Sequence, residues 1–136
     1  MRYLSLLFLV LTGFRTQAQD VNIIPQPVEV NTSKAGKPFL INATTTIVAL
    51  DTNSIKSANF LKEYLSKFHN TEVQISEGSR TKNAIILSTG KTVDTISGAY
   101  SLTSSKDRIR ITGFDGPGVF YGVQTLIQLL PRTSNL

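Results

Sequence analysis

The stretch from Gly113 to Pro131, GFDGPGVFYGVQTLIQLLP, constrains this chain more than any other. It predicts a strand end, a tight glycine turn and a closing helix. Asp115 is placed to cap the helix start, Pro117 suits its first turn, and Pro131 marks its stop. Apolar residues at 119, 120, 123, 126, 127 and 130 recur at helical spacing and predict a broad buried arc. Gly118 and Gly122 stand one turn apart, so bare backbone is offered for close approach by another element. The remaining face carries Tyr121, Gln124, Thr125 and Gln128, and no charged residue occurs between Gly116 and Leu130. A helix with a solvated face ordinarily carries charge there. This one is therefore expected to be covered on both sides, with Tyr121, Gln124, Thr125 and Gln128 meeting a partner.

The opposite end of the chain reads as a targeting segment. Met1-Arg2 is a short positive start, Leu4 to Leu11 is apolar apart from Ser5, and Thr16-Gln17-Ala18 supplies the small residues of a cleavage site. The apolar run is too short for a stable bilayer-spanning helix. Residues 1–18 are thus expected to be a signal peptide, leaving a single domain over 19–136 and an exported, periplasmic or extracellular product. That domain is long enough to bury about two-thirds of its unfolded surface. With no cysteine anywhere, an exported domain of this size rests on packing without disulfides. Without Arg2 and Arg15 the balance is 12 Lys+Arg against 9 Asp+Glu, scattered without a basic run. Nucleic-acid binding finds no support in such a pattern.

Between these ends the periodicity alternates between strand and helix. Pro25 and Pro27 restrict the lead-in to an edge or approach segment. Short strands are expected at 28–30, 39–41, 46–50 and 73–75, followed by an apolar run at 84–87 that suits a central strand. Residues 54–68 predict an amphipathic helix with Ala58, Phe60, Leu61, Tyr64, Leu65 and Phe68 inward, a cap among Asp51 to Ser54, and Asn70 as its left-handed end. Ile55 falls off that arc. The strand at 46–50, this helix and the strand at 84–87 suit a crossover unit. Residues 100–103 and 108–112 alternate and are joined through a hairpin loop, with Ile109 and Ile111 inward and Arg108 and Arg110 outward. The sum is an α+β, two-layer α/β sandwich: a mixed, mainly antiparallel sheet with two helices on one face.

No residue cluster carries catalytic chemistry. Acid–base catalysis by paired carboxylates needs two acids held together, and here no two acids are adjacent in sequence; Glu63 lies on the solvated side of its helix, Asp107 in a hairpin loop, Asp115 at a cap. His69 is the only histidine, so neither a metal site nor a cofactor site is expected. The triplets Asn31-Thr32-Ser33 and Asn42-Ala43-Thr44 match the glycosylation acceptor pattern, which is common by chance.

Gly118-Val119-Phe120-Tyr121-Gly122-Val123-Gln124-Thr125-Leu126-Ile127-Gln128-Leu129-Leu130-Pro131 resembles the end of the N-terminal domain of β-N-acetylhexosaminidases, glycoside hydrolase family 20. Ile24-Pro25-Gln26-Pro27, Gly98-Ala99-Tyr100-Ser101-Leu102 and Ile109-Arg110-Ile111-Thr112-Gly113 match the same domain in order, so the resemblance covers residues 23–131. It implies a two-layer α/β domain preceding a (β/α)₈ barrel. It also implies substrate-assisted hydrolysis of N-acetylhexosaminides, with an Asp-Glu pair supplied by that barrel. This chain has no Asp-Glu dipeptide. No catalytic residue is carried over, and the chain alone is expected to be inactive. The barrel is then the implied partner of Tyr121, Gln124, Thr125 and Gln128, with glycan met only indirectly. The competing reading is a free-standing carbohydrate-binding or adaptor domain; the absence of tryptophan weighs against it. Mass spectrometry of the exported product should find an N-terminus at or close to Gln19, and an intact Met1 on it would refute the signal peptide.

Overall fold

A computed structural model describes residues 23–24, 27–31, 37–78 and 80–131; the expected signal peptide lies outside them. The chain runs β1 (Thr46–Ala49), α1 (Thr52–His69), β2 (Gln74–Ser76), β3 (Ala84–Thr89), β4 (Tyr100–Ser104), β5 (Arg108–Gly113) and α2 (Gly116–Leu129). The five strands form one sheet in the order β2-β1-β3-β5-β4. Ile109 and Ile111 of β5 are buried while Arg108 and Arg110 are exposed, as alternation requires. β3, apolar and buried over its first four residues, lies at the centre of the sheet.

The helices share one sheet face. Ile47 and Ala49, Ile85 and Leu87, Ile109 and Ile111 form the sheet side of the core. They meet Ala58, Leu61 and Leu65 of α1 and Val119, Val123 and Leu126 of α2. The expected two-layer sandwich is what forms. The pairing differs in direction, however: β1–β2, β1–β3 and β3–β5 are parallel, and β4–β5 alone is antiparallel. A short hairpin joins strands antiparallel, whereas parallel neighbours need a longer crossover; residues 105–107 supply the short link, closed by a Ser105 N–H bond to the Arg108 carbonyl at 2.9 Å. α1 returns the chain so that β2 enters in the direction of β1, and the link after β2 returns it again to start β3 in the same direction. Residues 28–30 and 39–41, expected as strands, are irregular. Phe39 and Ile41 still pack half-buried on the core. They run straight into a turn in which Asn42 accepts the Thr44 N–H at 2.9 Å, so they anchor by apolar contact without a strand partner.

Most of the expected inward residues are buried or packed on the core, Ala58, Leu61 and Leu65 of α1 and Val119, Val123, Leu126, Ile127 and Leu130 of the closing helix, but the expected inward rings Phe60, Phe68 and Phe120 are not. α1 turns Ser54, Ser57, Ala58, Leu61 and Leu65 to the sheet, with Ile55 half-buried beside them, while Phe60 and Phe68 are exposed. α2 buries Gly118, Val119, Gly122, Val123, Thr125 and Leu126, and Phe120 is exposed. Small residues therefore face the sheet and rings face out. Contact at the glycines is tight: a Cβ on Gly118 would lie 2.3 Å from the Ala99 carbonyl oxygen, and one on Gly122 would lie 2.3 Å from Ile111 Cγ2.

Gly118→Ala is expected to lower stability by roughly 1–3 kcal/mol, because overpacking against fixed backbone outweighs the ~1 kcal/mol helix-propensity gain. Gly116→Ala meets its nearest neighbour only at 3.7 Å and should be close to neutral in the same thermal melts.

Candidate functional site

Each helix begins at an aspartate whose carboxylate also holds a neighbouring segment. Asp51 Oδ1 accepts the Ser54 N–H and hydroxyl at 3.1 and 3.0 Å, and its Oδ2 accepts the N–H of Thr89, at the end of β3, at 2.6 Å. Asp115 accepts from the Ser97 hydroxyl at 2.6 Å, the Gly98 N–H at 3.1 Å and the Gly118 N–H at 2.9 Å. These donors, Ser97 first, hold the Asp115 carboxyl below the 3.8 of an unperturbed aspartate. The cap thus pins the 95–98 turn onto the α2 start. Gly98, at φ 84°, brings that turn so close to Tyr121 that a Cβ there would lie 2.9 Å from the ring.

Side by side, the two helices expose a seam of rings. Phe60 of α1 meets Phe120 of α2 at 5.3 Å between centroids, and Phe120 lies 6.3 Å from the ring of Tyr121. Phe60 and Phe120 are each 37% exposed, Tyr121 50% and Phe68 47%. Tyr64 and Phe68, at 4.8 Å, continue the row along α1 at four-residue spacing. Sequence periodicity assigned Phe60, Phe68 and Phe120 to the core. The signal that would have placed them outward is the run of small residues, Ser54, Ser57, Ala58, Gly118 and Gly122, at the positions nearest the sheet.

The four residues expected to form one partner-facing surface are divided. Tyr121 and Gln124 lie on the outer side of α2, adjoining the ring seam. Thr125 is buried and shares a 2.6 Å hydrogen bond with the Tyr100 hydroxyl, so it serves the helix–sheet contact. Gln128 is exposed but engaged: its Oε1 accepts the Ile24 N–H and its Nε2 donates to the Ile24 carbonyl, both at 2.9 Å. This pair of bonds ties the lead-in segment to the last turn of α2.

Among the described residues, no three His, Asp or Glu side chains are grouped to hold a metal ion. No helix among them is long and apolar enough to cross a membrane. Asp51 and Asp115 serve as caps, Asp107 pairs with Lys106, and Glu29 and Glu72 accept from Asn31 and Ser66.

The fold and this surface define a two-layer α/β domain with an outward aromatic seam. The profile of Glycosyl hydrolase family 20, domain 2 matches residues 20–135, and the chain belongs to that family. It is 32% identical over 114 residues to a beta-hexosaminidase of Porphyromonas gingivalis, covering 83% of this chain and 14% of the relative. Among solved structures it superposes on the GH20 beta-N-acetylhexosaminidase of Streptomyces coelicolor with a TM-score of 0.67 at 27% identity, over 80% of this chain and 21% of that one. The N-acetyl-beta-hexosaminidase of Streptomyces plicatus gives a TM-score of 0.67 at 25% identity, over 86% of this chain and 23% of that one. The chain therefore spans less than a quarter of the length of these relatives.

Replacing the α2 cap by Asn should destabilise the protein near neutral pH. A depressed carboxyl pKa contributes stability above the unperturbed value and loses it as pH falls through the folded one. The melting difference between the parent and Asp115→Asn should therefore be full at neutral pH and shrink well below pH 3.8. A difference independent of pH would contradict the role given to the charge.

Proposed function

We propose that this chain is the accessory domain of an exported β-N-acetylhexosaminidase, and that its helix layer supports a (β/α)₈ catalytic barrel of the longer enzyme. The observation that carries the reading is the seam of Phe60, Phe120 and Tyr121, flanked by Gln124 on a helix without a single charge. Interface centres are depleted in charge and enriched in aromatic residues. Membership of the family and the beta-hexosaminidase names of its longer relatives support the activity assigned to the whole protein. The barrel supplies the acid pair that the sequence of this chain lacks, and terminal N-acetylhexosamine residues are the substrate class. In this reading Tyr121 and Gln124 meet the barrel, Thr125 braces α2 from behind, and Gln128 holds the lead-in segment beside the helix end.

A carbohydrate platform is less well supported. Its rings should lie coplanar for stacking on sugar faces, whereas Phe60 and Phe120 are tilted by 60° and Phe120 and Tyr121 by 57°.

The double change Tyr121→Lys with Gln124→Lys, at one exposed and one half-buried position, is expected to shift the stability of the 136-residue chain by about 1 kcal/mol. In a longer chain carrying the barrel it would bury unpaired charge and cost roughly 3–5 kcal/mol of docking. Thermal melts of both proteins measure this, and equal shifts would reject the interface.

A further inference from the structure

A groove of about 370 Å³ lies at the end of the sheet where β3 and β5 begin, away from the aromatic seam. Lys37, Lys82 and Lys106 line it together with Asp107, and Phe39 and Leu40 form an apolar wall. Its base is tied down at Asn83, which adopts a left-handed φ of 50°. The Asn83 N–H donates to the Asp107 carbonyl at 2.7 Å, and its carbonyl accepts the Thr46 N–H at 3.1 Å. Its side chain accepts from the Thr45 hydroxyl at 3.0 Å and donates to that of Thr44 at 2.8 Å. The loops carrying Lys82 and Lys106 are thereby bonded to one another, which holds two ammonium-bearing residues at adjoining positions.

Lys82 and Lys106 each stand two residues before the registered pair Ala84 and Arg108, so positive charge gathers at one end of the sheet. Three lysines here meet one carboxylate, and the single ion pair among the described residues is Lys106 with Asp107 at 3.3 Å. Lys37 and Lys82 thus have no described carboxylate within ion-pair distance. A bound anion would relieve this excess of positive charge. The wall narrows the choice: Leu40 is 71% exposed beside the lysines, offering apolar contact that a small inorganic anion cannot use. A sugar ring bearing acidic groups presents both parts, C–H faces for Phe39 and Leu40 and carboxylate or sulfate for the lysines.

We propose that this groove binds an acidic glycan, carboxylated or sulfated, at a site separate from the ring seam. The inference stands on this chain alone and does not rest on the docking of a barrel.

Calorimetric titration of the exported chain tests it with a sulfated heparin-derived oligosaccharide, an oligouronate, an uncharged N-acetylglucosamine oligomer, inorganic sulfate and a single-stranded oligonucleotide. At least one acidic saccharide is expected to bind, more weakly as salt rises, and the neutral oligomer is not. Which of the two acidic ligands binds identifies sulfate or carboxylate as the preferred group. The double change Lys37→Gln with Lys82→Gln should weaken binding about tenfold or more. Lys67→Gln with Lys91→Gln removes the same charge elsewhere and should change it by less than about twofold. Failure of both acidic saccharides to bind would overturn the proposal, as would equal losses in the two double variants. Equally tight, lysine-dependent binding of inorganic sulfate or of the oligonucleotide would overturn the glycan assignment, leaving an anion site without selectivity for sugar.

Discussion

Everything in the helix layer depends on how closely α2 sits on the sheet. At Gly118 and Gly122 the helix backbone reaches the Ala99 carbonyl and the Ile111 side chain, with no room for a Cβ. Gly113, at the end of β5, is equally confined, since a Cβ there would lie 2.2 Å from the Val119 nitrogen. Three glycines thus define the strand-to-helix corner, and Asp115 closes it by capping α2 and gripping the 95–98 turn. With the small residues turned inward, the bulky ones are left on the far side. The outward rings follow from the inward glycines.

In α1 likewise, Ser54, Ser57 and Ala58 are buried and Phe60 and Phe68 are exposed. Because both helices follow this pattern, their exposed rings meet along one seam, with Phe60 against Phe120. Rings in that position are out of place in a domain that works alone. They suit the docking role proposed above, in which a neighbour covers the α2 side of the seam, the helix that carries no charge.

Much of this was legible in the sequence because it is local. The Asp115 cap, the left-handed end at Asn70, the close approach at Gly118 and Gly122, and the inward set of Ile109 and Ile111 each follow from a few neighbouring residues. Strand direction was not legible, since it depends on which strands become neighbours, and the order β2-β1-β3-β5-β4 makes three of four pairings parallel. Periodicity also misplaced the rings. It ranks residues by hydrophobicity alone, whereas Gly118 and Gly122 leave no room for a side chain at the closest approach. The role of Thr125 and the Gln128 clamp on Ile24 were hidden for a related reason: both need a partner far away in sequence.

Covalent footprinting of the aromatic side chains tests the central claim most directly, by comparing this chain with a longer enzyme that carries the barrel. Phe60, Phe120 and Tyr121 should label readily in the chain alone and become protected in the longer protein. Protection of those three rings in the chain alone would contradict the outward arrangement. Equal labelling in both proteins would contradict the docking face.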